Sequence, residues 1–238
     1  VKKEALGSET KSMLTALDLS ARGYVMQRTT TSQEYPSLGI GAEAGFHTRP
    51  CHSDAFKSTA YFYTYGYLPG IFPLQGLRLS ASFEASFGKS DYCFPEIVLN
   101  NYPRGFAESN LTSILNRNST SRTSATIDYA IPFLPIDRAF LGPVAYVRNF
   151  IFTPFFDCSY ITCSSKPELN INPEGIGNEF LMSAGADLAV HLGNFFFLPY
   201  GTRAGIRIAY NHWNKFDQLG INSINRLYVG YIFRIDIQ

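Results

Sequence analysis

In the stretch Leu227-Tyr228-Val229-Gly230-Tyr231-Ile232-Phe233-Arg234-Ile235-Asp236-Ile237-Gln238, large apolar residues occupy every second position. Leu227, Val229, Tyr231, Phe233, Ile235 and Ile237 share one face, and Tyr228, Gly230, Ile232, Arg234, Asp236 and Gln238 share the other. A repeat of two residues is the period of a β-strand with one apolar and one more polar side. The same alternation recurs upstream. Leu77, Leu79, Ala81, Phe83, Ala85 and Phe87 interleave with Arg78, Ser80, Ser82, Glu84 and Ser86. Leu38, Ile40, Ala42, Ala44 and Phe46 interleave with Gly39, Gly41, Glu43, Gly45 and His47.

Weaker runs complete an all-β reading of about nine strands. The first covers Leu14 to about Arg28, where a helix over Leu14–Leu19 competes with the strand. Ala55–Tyr67 aligns Lys57, Thr59, Tyr61, Tyr63, Tyr65 and Tyr67 on one side, and the pattern leaves open which side is inward. Further runs lie at Ser124–Ile131, Tyr146–Tyr160, Phe180–Leu192 and Arg203–Asn211. The connections alternate in kind. Those around 29–36, 68–76, 132–144 and 193–201 are mostly short and rich in Pro or aromatics; those around 48–54, 88–122, 161–178 and 213–225 are mostly long and polar.

Composition restricts the class. Charged residues make up 16% of the 238 residues and aromatics 15%, against ~25% charged in a typical soluble domain. Mean hydropathy is −0.05, and no run approaches the ~18 apolar residues of a spanning helix. A transmembrane β-barrel reconciles these facts, because lipid-facing apolar residues alternate with polar residues of the lumen and the average cancels. A net charge of +1 and the lack of a basic stripe argue against a nucleic-acid partner. The chain starts at Val1 without a charged-then-apolar leader, so a signal segment is expected to be removed or to lie outside it.

In outer-membrane barrels short turns face the periplasm and long loops face outward. With the C-terminus periplasmic, every long loop falls outside, and nine strands leave the N-terminus on the outer surface. An even strand count and a closed edge are the rule for such barrels. The expectation is therefore that residues 1–238 are the C-terminal part of a larger barrel.

The long loop 88–122 carries Tyr102-Pro103-Arg104-Gly105-Phe106. A loop that bears an Arg-Gly-aromatic tip and precedes five strands to the C-terminus resembles the bacterial surface antigen superfamily, whose members include barrel-assembly insertases and two-partner secretion transporters. The resemblance implies a sixteen-stranded outer-membrane barrel in a Gram-negative bacterium, with the loop folded into the lumen. It implies contact of Arg104, Gly105 and Phe106 with a Phe-x-Asp-x-Gly wall motif, here Phe155, Phe156, Asp157, Cys158 and Ser159. Ser159 replaces the glycine. The wider pattern over Phe94–Phe106, Asp128–Pro143 and Ser183–Leu188 is similar to the barrel ends of propeller-fused members. The chain also departs from the family in ending Ile237-Gln238 rather than on an aromatic residue.

The implied activity is insertion or translocation of proteins at the outer membrane, without catalysis, metal or cofactor. Its partners would be the lipid bilayer, a missing N-terminal barrel half or other outer-membrane proteins, and an unidentified client. A porin-like passive channel and a structural subunit of a larger outer-membrane complex are the competing functions. A soluble β-sandwich and a membrane hydrolase are weaker ones: Asp187 and His191 share a strand face but stand ~13 Å apart, too far for a hydrogen-bonded pair.

Independently of any family, a guanidinium in a lumen needs carboxylates to offset its desolvation. Asp157, Asp128, Asp187 and Glu84 all fall on expected lumen faces. Cys51, Cys93, Cys158 and Cys163 lie in or beside expected outer loops, which favours disulfides in an oxidising compartment. Cys158 with Cys163 and Cys51 with Cys93 is the first choice of three connectivities.

Overall fold

A computed structural model describes residues 15–29, 33–52, 56–88, 95–99, 101–106, 112, 115–116, 119–140, 145–163, 178–195, 201–213 and 226–236. The fold is all-β. Nine strands, β1 (Leu17–Met26), β2 (Gly39–Thr48), β3 (Ser58–Pro69), β4 (Gly76–Phe87), β5 (Ser119–Phe140), β6 (Ala145–Cys163), β7 (Glu179–Phe195), β8 (Gly201–Trp213) and β9 (Leu227–Asp236), follow in chain order. They pair antiparallel with their sequence neighbours into one open nine-stranded sheet, β1 and β9 forming its edges. Leu17–Leu19 is strand, so the competing helix is absent there. No helix among the described residues is long and apolar enough to cross a membrane.

The two faces of the sheet invert the usual rule of burial. Leu79, Phe83, Ile127, Phe156, Leu188, Ile206 and Val229 are exposed on one face. On the other, Ser82, Glu84, Ser124, Asp128, Asp157, Ser183 and Asn211 are buried. Alternation along every strand produces this separation, and the ladder keeps it in register: Glu84 lies opposite Arg122 on β5, Asp157 opposite Ser183 on β7, and Asp187 opposite Arg207 on β8. A contiguous apolar band of this extent is foreign to the surface of a monomeric soluble domain.

The polar face is concave. Glu34, just ahead of β2, forms an ion pair with Arg203 on β8. Six strand spacings separate β2 from β8, ~29 Å along the sheet at ~4.8 Å each, so only a strongly curled sheet lets these side chains meet. Tyr67 on β3 likewise lies within electrostatic reach of both Arg78 on β4 and Arg234 on β9. The tyrosines of β3 point into the concavity, which settles the side the sequence pattern leaves open. They lie over glycines of β2: a Cβ at Gly41 would stand 2.4 Å from the Tyr65 ring, and one at Gly45 2.4 Å from the Tyr61 ring.

Several boundaries differ from expectation. β5 begins at Ser119 and not near Ser124, so the long loop ends at residue 118 and Arg122 belongs to the wall. The Ser/Thr composition of 119–126 hides this strand, because its outward positions there are also small and polar. β5 also runs through Pro132 and Pro135 to Phe140, and the connection expected over 132–144 shrinks to 141–144. β4 pairs with β5 only as far as Ala130, opposite Gly76. Beyond that point the prolines lie along the unpaired side of a β5–β6 ribbon. Register shifts flank Pro135, and Leu134 and Asp137 have φ of 49° and 47°. Prolines are tolerated in a strand at such edges and bulges.

The expected Cys158–Cys163 disulfide is not formed. Both residues lie in β6, five positions apart along one extended strand. That is ~17 Å at ~3.3 Å per residue, far beyond the Cα separation of under ~7 Å that a disulfide requires. Cys51 is exposed and carries no disulfide to Cys158 or Cys163; Cys93, its expected partner, lies outside the described residues.

Candidate functional site

The segment 101–106 crosses the concave face from β5 to β8. Its tip is a four-residue turn in which the Phe106 amide donates to the Pro103 carbonyl at 2.8 Å. Proline fixes its own φ ahead of the turn, and the hydrogen bond projects Arg104 toward β6. The Arg104 backbone amide donates to Asp157 Oδ2 at 3.0 Å, Nε to the same oxygen at 2.8 Å, and Nη2 to Asp157 Oδ1 at 2.7 Å. A planar guanidinium matches a carboxylate in this two-point geometry, which a lysine could not reproduce.

Two neighbouring strands contribute further carboxylates. Arg104 Nη2 also pairs with Asp128 on β5, and Nη1 lies 3.8 Å from Asp187 Oδ2 on β7. Asp187 itself takes a two-point pair from Arg207 on β8, both contacts at 2.7 Å. The Phe155 ring lies beneath the guanidinium, 3.9 Å from the Arg104 Cζ, with Arg207 5.6 Å away. A cation over a partly desolvated aromatic face adds to its ionic contacts. Burial opposes the Arg104 charge, but the Asp157 and Asp128 carboxylates outweigh it and hold its pKa above the ordinary arginine value.

Gly105 follows at the closest approach. A Cβ there would stand 1.8 Å from Asn211 Oδ1 of β8, so no other residue fits without displacing that side chain. The absent side chain lets the backbone bond the wall directly. Gly105 N–H donates to Ser183 Oγ at 3.3 Å, and Asn211 Nδ2 donates to the Gly105 carbonyl at 2.9 Å. Phe106 is fully buried with Tyr102, Leu115, Ile161, Cys163, Leu181 and Trp213, an apolar cluster beside the ionic one.

The structure thus brings together Arg104, Gly105, Phe106, Phe155, Asp157, Asp128 and Asp187 of the expected set. Glu84 stays apart. It is buried on the concave face but accepts the Val98 amide at 2.6 Å, anchoring the start of the crossing segment. Ser159, where the resembled motif has glycine, stands 2.8 Å from Ser124 Oγ, which donates to the Asn101 carbonyl at 2.8 Å. The hydroxyl is therefore accommodated, and it fastens the segment one residue before Tyr102.

Other contributors escape sequence reasoning. Arg122 stacks on the Tyr102 ring at 4.0 Å and donates to its phenol oxygen at 2.6 Å. Burial is the main cause that raises the Tyr102 pKa, with Arg122 working against it. Trp213 donates its indole N–H to Glu179 at 2.8 Å at the end of the apolar cluster. Arg122 is hidden by its place in a Ser/Thr-rich stretch. Asn211 and Trp213 could have been found only from the last inward positions of the β8 alternation.

Among the described residues no group of three or more His, Cys, Asp or Glu side chains is arranged to hold a metal ion. Asp187 is engaged by Arg207, and His191 lies opposite Arg203 and Asn149. His212, near the end of β8, is exposed. What the site does chemically is to fix a crossing segment to four consecutive strands through charge, backbone hydrogen bonds and one apolar plug. In comparisons with known proteins, the chain matches no family model, no curated protein and no solved structure.

Proposed function

We propose that this chain is the C-terminal part of an outer-membrane β-barrel of the surface-antigen type. It would help proteins insert into or cross the outer membrane of a Gram-negative bacterium. The observation that carries the reading is the seat of Arg104 on Phe155 and Asp157, with Gly105 against Asn211 and Phe106 buried beside it. That is the arrangement the resemblance implies for a loop folded into a barrel lumen. The inverted faces support the membrane half of the reading: an apolar outward band suits acyl chains, and the curled polar face suits a lumen. Two open edges cannot face lipid with their backbone groups unsatisfied. Closure in this reading comes from further strands joined to β1 and β9, in a barrel of sixteen, supplied by an N-terminal half or by another protein.

The role is mechanical and non-enzymatic. Arg104 and its carboxylates hold the loop across the lumen and set the shape of the barrel around it, while the client remains unspecified. The test is reconstitution of the complete barrel in liposomes with a urea-unfolded small outer-membrane barrel as client. Faster client folding than in empty liposomes is expected, together with low, fluctuating conductance in planar bilayers. Steady open-pore conductance with no effect on client folding would favour a passive channel. Silence in both assays, with an additional protein co-purifying against the rim, would favour a structural subunit.

A further inference from the structure

We propose that residues 33–38 form a lid over the concavity at its short-connection end, held shut by Glu34 on Arg203. The crossing segment 101–106 seats Gly105 on Asn211, near the end of β8. Arg203 lies near the start of the same strand, so Glu34 meets the wall at the opposite end. A cavity of about 330 Å³ lies between the two segments, lined by Tyr35 from one and by Tyr102, Pro103 and Arg104 from the other. It is bounded by one crossing segment at each end.

The segment is built to project inward. At its base the Gln27 amide donates to the Leu38 carbonyl at 2.9 Å, which extends the β1–β2 pairing by one bond. Gln33 Nε2 donates to Ser37 Oγ at 3.1 Å and closes the segment on itself. Pro36 disfavours helical backbone at Tyr35. From Leu38 to Glu34 the chain spans at most ~14 Å, and the long Glu34 and Arg203 side chains cover the rest of the way to β8. Tyr35 is seated against the wall on the near side. Its ring centroid lies 5.6 Å from that of Tyr67 on β3, and its Cβ would stand 3.2 Å from a Cβ at Gly76 on β4. Gly76 thus leaves the space that the base of the Tyr35 side chain occupies. Burial pushes the Tyr35 phenol up to about 12, with Asp128 adding to the shift, as befits a ring inside the concavity. The Glu34 side chain is only 6% exposed, and a carboxylate so deep is tolerable only beside a cation. Glu34 and Tyr35 hold by their side chains, whereas Arg104 and Gly105 also bond the wall through their backbone amides. A side-chain hold can part and re-form while the strand ladders stay intact, so the end that opens is the one covered by 33–38.

This inference does not depend on the surface-antigen reading. Its test uses the complete protein in detergent, with the four native cysteines replaced by alanine. Tyr35→Cys with Gly76→Cys brings two Cβ atoms to within a few tenths of an ångström of disulfide spacing, and mild oxidation should link them in most molecules. Adding Glu34→Arg sets like charge against Arg203 and should slow the linkage about tenfold or more. Glu34→Gln should slow it less, and it serves in place of Glu34→Arg if that variant does not fold. Opening is read separately at Ser82→Cys, a buried position on the cavity wall, as the rate of modification by N-ethylmaleimide. Modification should be slow with Glu34 in place and about tenfold faster with Glu34→Arg. Arg22→Gln, at an exposed ion pair with Glu43, should change neither rate. The lid is overturned if the cysteine pair in folded protein does not link, or if Glu34→Arg leaves either rate at the parent value; slower linkage with unchanged modification of Ser82→Cys would make the segment a brace that gates nothing.

Discussion

One segment is fastened at two adjoining places by opposite physics. At Arg104 the contact is ionic: one guanidinium meets carboxylates from β5, β6 and β7 over the Phe155 ring. Two residues later the contact is apolar: Phe106 is fully buried among Leu115, Ile161, Leu181 and Trp213. The ionic anchor gives direction, because a planar fork on a carboxylate has essentially one good geometry, but much of its Coulomb gain is spent on desolvating the charges. The apolar anchor gives affinity with little directional demand, since burial of a large side chain contributes roughly 1.5–3 kcal/mol whatever its orientation. Gly105 lies between them and allows both to be made at once.

The largest break in this comparison is removal of the guanidinium. Arg104→Ala leaves Asp157 and Asp128 buried without their cation, and loop attachment should weaken by about 3–5 kcal/mol. The urea midpoint of loop release, followed by protease access to the segment in detergent, measures it. Phe106→Ala follows at about 3–4 kcal/mol, the cost of truncating a buried aromatic. Its loss has no electrostatic part and should be insensitive to salt, which sets the apolar anchor apart from the ionic one. Gly105→Ala comes next, at about 1–3 kcal/mol for overpacking. Its new Cβ collides with Asn211 Oδ1, so Asn211→Ala in the same chain should restore part of the loss. Additive effects of these two substitutions would show that Gly105 is needed for some reason other than this contact.

The two anchors also differ in how visible they are in the sequence. Period two places Asp157, Asp128, Asp187 and Glu84 together on the inward face, where any of them could meet a loop arginine, and it is the resemblance to the surface antigens that implies Asp157 for Arg104; the strong alternations of β2, β4 and β9 place their faces directly. The apolar cluster is not legible in this way. Phe106 takes its neighbours from β6, β7 and β8 and from Leu115, so contacts between distant positions decide it and no local pattern announces it. Ser119–Arg122 reads as loop because both of its faces are polar there, while Pro132 and Pro135 read as a turn because an edge that tolerates proline is a property of pairing, not of the strand itself. The same reason defeats the cysteines. Cys158 and Cys163 look close in sequence, yet a strand holds residues five apart at almost its full extended length.

The central claim is that Arg104 and Asp157 together fix the crossing segment, and a charge-swap cycle in the complete protein tests it most directly. Arg104→Asp, Asp157→Arg and the double variant are compared by heat-modifiable gel mobility, with protease access to the segment as a second readout. Each single swap should lose the compact form and expose the segment. The double swap should regain the compact form in part, because Asp128 and Asp187 still favour a cation at the original place. Single variants that migrate and resist protease as the parent does would contradict the account, and Arg104 would then be a solvated loop residue with no hold on the sheet.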